Sequence, residues 1–165
     1  VTIVEMMPQL MPGTDKELAS IAAECLDECF EHIMLNSKVS KAEQTNEGIK
    51  VSFEGDAEQI SGTAYNHVLA AVGRKPNAEQ LSLENTDVEL DEQGFIKVDS
   101  QRKTNDDSIF AVGDVAGNPQ FAHKALYEGR VAARVIAGRQ ASFDARCIPF
   151  VEYTETEVAG CGWSE

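Results

Sequence analysis

Apolar and polar positions in this chain follow two different periods, and the switches between them mark its elements. Val1 to Val4 is a short apolar run ending at a carboxylate, Glu5, which is how a strand inside a parallel sheet reads. Pro12-Gly13 then breaks the chain. Thr14 and Glu17 stand at capping-box spacing and predict a helix that runs to about Ile33. Leu18, Ile21, Ala22, Cys25, Leu26, Cys29, Phe30 and Ile33 recur at three- and four-residue intervals as its apolar stripe, with Glu24, Glu28 and Glu31 toward water. From 38 to 66 the period drops to two, through Val39, Ala42, Ile49, Val51, Phe53, Ile60 and Tyr65. Turn residues at Asn46-Glu47-Gly48 and Glu54-Gly55-Asp56 divide that stretch, which predicts a small antiparallel meander.

His67 to Val72 is almost continuously apolar, as expected of a strand covered on both faces. It ends at Gly73-Arg74-Lys75-Pro76-Asn77, a breaker that serves as a domain boundary. Residues 78–108 are rich in loop formers, with a hairpin-like Asp91-Glu92-Gln93-Gly94 and a strand from Phe95 to Val98. Ile109 to Val112 reads as a short strand running into Gly113 and Asp114. A loop of small residues follows (Ala116 to Pro119), and a helix opens near Ala122 to bury Ala125, Leu126, Ala132, Val135 and Ile136 until Gly138 stops it. Residues 148–165 carry β-type residues without closing a unit, and the pattern is still open at Trp163-Ser164-Glu165. Strands interleaved with helices make this an α/β chain.

Composition narrows the choices. A length of 165 residues accommodates one domain or parts of two, and 42% hydrophobic residues suffice for a core. A net charge of −14 argues against nucleic acid or an anionic membrane as partner. Apolar runs are only a few residues long, so no membrane span is expected, and the N-terminus has no signal-peptide pattern. The four cysteines, Cys25, Cys29, Cys147 and Cys161, lack zinc-ligand spacing. Cys25 and Cys29 are one helical turn apart among Glu24, Asp27 and Glu28. That setting disfavours a thiolate, so core thiols are the expectation.

Two carboxylates stand where chemistry is expected. Glu5, at the end of a parallel strand, is placed to accept both hydroxyls of an adenosine ribose, and no basic residue before Lys16 offers to meet a 2′-phosphate. That arrangement favours NAD, and it calls for a Gly-x-Gly-x-x-Gly turn about 20 residues upstream. Asp114 follows a strand and a glycine and precedes a helix start, a geometry suited to a polyhydroxylated, phosphate-bearing cofactor. His123, inside that helix start beside Lys124, reads as structural or solvated rather than as a base.

Val1 to Met6, Ala71-Val72-Gly73-Arg74-Lys75-Pro76-Asn77, Val98-Asp99, Thr104-Asn105, Ile109 to Asp114, Ala122-His123-Lys124-Ala125, Glu128-Gly129, Ile148-Pro149 and Tyr153-Thr154-Glu155 together resemble the pyridine nucleotide–disulfide oxidoreductases, and among them the dihydrolipoamide dehydrogenases. The resemblance runs in order through the whole chain. The family's Gly-rich flavin motif, redox Cys-x4-Cys and His-Pro-x-x-x-x-Glu pair have no counterpart in these residues. The expectation is therefore a central piece of a larger flavoprotein, itself inactive, with no catalytic residue of its own. By this resemblance residues 1–77 are an NAD-binding domain lacking its first strand. Residues 78–147 are the C-terminal part of an FAD-binding domain, and 148–165 begin an interface domain. The fold expected is thus parts of two doubly wound dinucleotide-binding domains with a small antiparallel meander. The resemblance implies that Glu5, Val39 (lining the adenine), Ala71, Val72, Gly73 and Arg74 contact NAD, and that Asp114 (through a ribityl hydroxyl) and Ala122 (through its main chain) contact FAD. It implies a homodimer that reoxidises dihydrolipoyl groups on subunits of 2-oxoacid dehydrogenase complexes, in the cytoplasm or, in a eukaryote, the mitochondrial matrix. Another disulfide reductase, a soluble transhydrogenase and a non-catalytic nucleotide-binding module remain the alternatives.

Overall fold

A computed structural model of the protein describes residues 1–163, so Ser164 and Glu165 of the terminal pattern lie outside the described residues. The chain divides into two compact units, residues 1–71 with 151–165 and residues 72–150. Small sheets and few helices make it α/β.

In the first unit β1 (Thr2–Val4) pairs in parallel with β2 (His32–Met34), Ile3 opposite Ile33. The helix between them, α1, spans Lys16–Asp27. It is therefore shorter than the apolar stripe predicts. Asp27 and Glu28 crowd a C-terminal end without a basic residue in its last turn, where the helix dipole disfavours acids. The apolar residues beyond are claimed instead by pairing with β1. Asp15 rather than Thr14 holds the N-cap position, and its side chain makes no capping hydrogen bond. The buried face is also rotated from the predicted one: Ala22 is buried as expected and Ala19 joins it, while Leu18, Ile21, Cys25 and Cys29 are exposed. The expected core thiols are surface thiols.

The predicted meander forms, with β3 (Ser37–Thr45), β4 (Gly48–Gly55) and β5 (Thr63–Tyr65) antiparallel in that order, but Val39 and Ala42 of the alternating set are exposed and Ile60 sits in a 3-10 turn outside the strands. Gly55 turns at φ +88, and a Cβ there would collide with the Asn36 carbonyl oxygen, so only glycine fits. Val51, Phe53 and Ala57 form the core of this unit, with Val4, Met34, Ile49, Ile60 and Tyr65 packed around them. Ser37 is buried within it, its hydroxyl donating to the Leu35 carbonyl at 2.7 Å and accepting the Ala57 N–H at 3.0 Å. Also in this unit, β7 (Val158–Gly160) lies against α1. Its sheet partner is β6 (Phe150–Glu152).

The run from His67 to Val72 is not a strand. It has no regular structure, with Leu69 and Val72 at 92% and 98% exposure. A strand covered on both faces needs a neighbour on each edge, and no described strand pairs with this run.

The second unit is built mostly from turns around Ala78, Ile96 and Ala111, with Leu83, Val88, Val98, Val115 and Ala116 packed against them. Asp91 Oδ1 accepts the N–H groups of Gln93 and Phe95 and closes the predicted hairpin, whose only bridge joins Leu90 to Ile96. The expected strands at 95–98 and 109–112 are likewise reduced to single bridges, the second joining Lys103 to Phe110. The helix α2 spans Ala122–Ile136 and ends where the Gly138 N–H turns back to the Val135 carbonyl. Its buried face matches the predicted one only in part. Ala132 is buried and Ala125 and Val135 are half-buried as expected, but Leu126 and Ile136 are exposed, and Lys124, Glu128 and Val131 are buried as well.

Candidate functional site

Glu5 sits one residue past β1, at the carboxyl end of the parallel pair. Its backbone is fixed by a 2.8 Å hydrogen bond to the Met34 carbonyl and by the Ser37 N–H at 2.9 Å. Its Oε1 accepts the Met7 N–H at 2.8 Å, which holds the carboxylate in a turn and leaves Oε2 as an acceptor. Val39 lies in β3 at the residue where a bulge begins, and it is half exposed, so its side chain is available to a flat apolar ligand. Both belong to the first unit.

Ala71, Val72, Gly73 and Arg74 lie on the exposed irregular stretch that crosses from the first unit to the second. Gly73 has φ +116 and open space where a side chain would stand, so backbone there is accessible. Arg74 does not stand apart from the other predicted site. Its Nη1 lies 3.9 Å from Asp114 Oδ2, with both side chains well exposed. Such a loose surface pair is worth about 0–1 kcal/mol, so it leaves Asp114 able to accept other donors.

Buried polar contacts hold the segment around Asp114 in place. Gly113 opens a short 3-10 turn, Gly113–Ala116, at φ +81, and a Cβ there would lie 3.1 Å from the Ala125 side chain. The absence of a side chain thus lets the turn lie against α2. The Gly113 N–H donates to Glu128 Oε2 at 2.6 Å. Lys124 Nζ donates to the carbonyls of Gly113 at 3.3 Å and Gly117 at 2.8 Å, and lies 3.2 Å from Glu128 Oε1. Arg102 Nη1 reaches the same Oε1 at 3.0 Å, and its guanidinium lies 4.8 Å from the centre of the Phe143 ring. Arg102 Nε is buried without a hydrogen-bond partner. The sequence reading missed Lys124, Glu128 and Arg102 as site residues. The available signal was a Lys–Glu pair four residues apart, in line with Val131 on one helix face.

Ala122 is exposed at the first turn of α2, and the Phe121 side chain at the N-cap offers no hydrogen bond. The first N–H groups of a helix lack intrahelical acceptors, so this end presents donors and a positive dipole end to electron-rich atoms. Phe121 stacks on His123 at 5.2 Å between ring centres, and His123 Nε2 lies 2.7 Å from the Pro149 carbonyl. Because a carbonyl only accepts, that nitrogen carries the proton, which agrees with a structural histidine. Nearby, Tyr127 donates to Asp144 at 2.6 Å, and that bond holds its phenol above the ordinary tyrosine value. Ser108 N–H and hydroxyl donate to Asp106, which keeps its carboxyl below the ordinary aspartate value.

Among the described residues, no cluster of three or more histidine, cysteine or acidic side chains has metal-site geometry. No described helix is long and apolar enough to cross a membrane.

A family model described as pyridine nucleotide-disulphide oxidoreductase matches residues 1–129. Over 165 residues the chain is 43% identical to the dihydrolipoyl dehydrogenase of Vibrio cholerae, covering all of this chain and 34% of that protein. It is 39% identical to dihydrolipoyl dehydrogenase 2 of Haloarcula marismortui, covering all of this chain and 35% of that protein. Among solved structures, the HOCl-induced flavoprotein disulfide reductase RclA of Escherichia coli matches the whole chain and 37% of its own, with TM-score 0.87 and 27% identity. A NAD-dependent persulfide reductase from A. fulgidus matches the whole chain and 32% of its own, with TM-score 0.85 and 25% identity. The chain therefore spans about a third of the length of these relatives.

Proposed function

This chain belongs to the pyridine nucleotide-disulphide oxidoreductase family, and from that premise we propose that it is the cofactor-binding middle third of a dihydrolipoyl dehydrogenase. The full-length protein would oxidise a dihydrolipoyl group and pass its electrons to NAD. FAD, when bound, supplies the relay between the disulfide and the nicotinamide. The residues of this chain bind and orient. Glu5 takes the adenosine ribose of NAD, Val39 flanks the adenine, and the Ala71–Arg74 stretch offers its backbone. Asp114 takes a ribityl hydroxyl of FAD, and the main chain at Ala122 meets the flavin ring. The thiol pair and the acid–base pair lie outside these residues, and Cys25 and Cys29 take no part.

One observation carries the flavin half of this reading. Asp114 rides on a turn pinned from beneath by buried charges, while its own carboxylate is free of any partner closer than Arg74 at 3.9 Å. A carboxylate held by its backbone and left open at its tip fits a hydroxyl-rich ligand. The NAD half rests on Glu5, whose second oxygen remains open at the carboxyl end of a parallel pair. By the same reading residues 1–77, 78–147 and 148–165 divide among the NAD-binding, FAD-binding and interface domains. The protein acts as a homodimer in the cytoplasm (or mitochondrial matrix) on lipoyl-bearing subunits of 2-oxoacid dehydrogenase complexes.

The deciding assay uses the full-length flavoprotein with dihydrolipoamide and NAD, against NADPH with glutathione disulfide and NADPH with NAD. Reduction of NAD by dihydrolipoamide as the dominant activity is the expected result. Dominant turnover in either NADPH reaction would reassign the protein to a disulfide reductase or a transhydrogenase, and a protein without flavin would make it a binding module.

A further inference from the structure

We propose that Lys124 and Glu128 are positioning residues for the flavin, which clamp the Gly113–Gly117 turn from both ends and so fix the direction of the Asp114 carboxylate. The inference rests on the flavin reading of Asp114 given above.

Glu128 is wholly buried and Lys124 is 4% exposed. Burying two such groups is costly, and an apolar pair on the same helix face gives comparable or greater stability. What the charges supply instead is direction. Lys124 Nζ donates to two carbonyls, those of Gly113 and Gly117, and lies 3.2 Å from Glu128 Oε1 as its ion-pair partner. Glu128 Oε2 holds the Gly113 N–H at 2.6 Å, while its Oε1 also takes Arg102. Both polar groups of Gly113 and the carbonyl that closes the turn are therefore tied to two side chains one helical turn apart. Asp114 is the residue next to Gly113, and its own side chain is about half exposed. Its aim is set by this backbone clamp, since its one side-chain contact among the described residues is the loose, exposed pair with Arg74 at 3.9 Å. Because α2 carries the clamp and also presents its N-terminus at Ala122, the two flavin contacts on this unit share one rigid support.

A double-mutant cycle in the full-length protein tests this, with FAD affinity read by titrating apoprotein with FAD and following flavin fluorescence. Lys124→Met and Glu128→Gln should each weaken FAD binding by about tenfold or more. Gln at 128 would turn a donor toward Arg102 and Lys124. In an Asp114→Ala background the same substitutions should weaken FAD by no more than about twofold, because the group they aim is gone. Lys124→Arg, which keeps donors to the turn, should recover most of the affinity lost in Lys124→Met. If the losses add in full to that of Asp114→Ala, or if neither single substitution weakens FAD, the clamp serves stability alone and the proposal fails. Should Glu128→Gln not fold, the Lys124→Met cycle decides, since it leaves Glu128 its Arg102 partner. An Asp114→Ala protein that binds FAD like the wild type would instead remove the flavin reading itself, a separate failure.

Discussion

Glu128 and Ser37 are the largest fully buried side chains among the described residues, and both are polar. Each is tolerated because its hydrogen bonds are made, and each ties together segments distant in sequence. Removing the Ser37 hydroxyl strands the Ala57 N–H, which it accepts at 3.0 Å across a separation of twenty residues. Ser37→Ala should therefore cost about 1–3 kcal/mol, read as a lower denaturant midpoint at unchanged slope. An unchanged midpoint would mean that water replaces the hydroxyl. Tyr127 offers a second check. Its phenol titrates above the ordinary tyrosine value because it donates to Asp144. A group raised on folding adds stability below its unfolded value and loses it as pH rises through the raised one. Phenolate absorbance should thus show one of the three tyrosines ionising late, and Asp144→Ala should bring it back to the ordinary range. Neither buried group was legible in the sequence as a core residue. Serine and glutamate normally face water, and only the placement of Lys124 and Glu128 in line with Val131 hinted otherwise. The positions of Glu5 just past β1 and of Asp114 just past Gly113 were legible, because a strand end and a glycine turn punctuate the sequence there.

At the scale of elements, legibility followed local punctuation. The meander was readable because Asn46-Glu47-Gly48 and Gly55-Asp56 fix its turns, and alternation survives wherever one face is buried. The ends of α2 were readable from the small-residue loop before it and Gly138 after it. The end of α1 was not, since nothing in Glu28-Cys29-Phe30 distinguishes a helix stripe from the approach to β2. The partner that captures His32 to Met34 is β1, about 30 residues away in sequence. His67 to Val72 misled for a related reason, because hydrophobicity shows what a strand needs and not whether its neighbours are present. The exposed thiols in α1 and in the turn just after it give a direct test. Cys25 and Cys29 should both react with a maleimide in the native chain, mapped by peptide mass, without denaturant. Protection of both until unfolding would restore the predicted stripe and contradict the observed rotation. Gly55→Ala should destabilise the first unit by about 1–3 kcal/mol, as φ +88 and the Asn36 carbonyl both oppose a side chain. A stability equal to wild type would show that the turn has another conformation.

At the scale of the molecule, the chain divides into two compact units, and the proposed function assigns one acid in each to a cofactor, Glu5 in the first and Asp114 in the second. The α/β class and the family were legible because the resemblance runs through the whole chain in order. The clamp beneath Asp114 was not, since it depends on which way α2 faces. On the proposed function, which takes the reactive thiols and the acid–base pair to lie outside these residues, the 165-residue chain alone should show no NAD reduction by dihydrolipoamide. Turnover that survives serine at Cys25 and Cys29 would relocate the chemistry into it. The central claim is that the two acids serve different cofactors, and one pair of substitutions in the full-length protein tests it. Flavin content after gel filtration, from the visible spectrum, is measured beside the NAD-to-NADP preference for Asp114→Ala and Glu5→Arg. Asp114→Ala should lose flavin, at about 1–3 kcal/mol per hydroxyl left unpaired, and its refilled protein should keep its preference for NAD. Glu5→Arg should keep its flavin and shift toward NADP, because a cation replaces the ribose acceptor. Full flavin retention by Asp114→Ala, or an unaltered nucleotide preference in Glu5→Arg, would contradict the account.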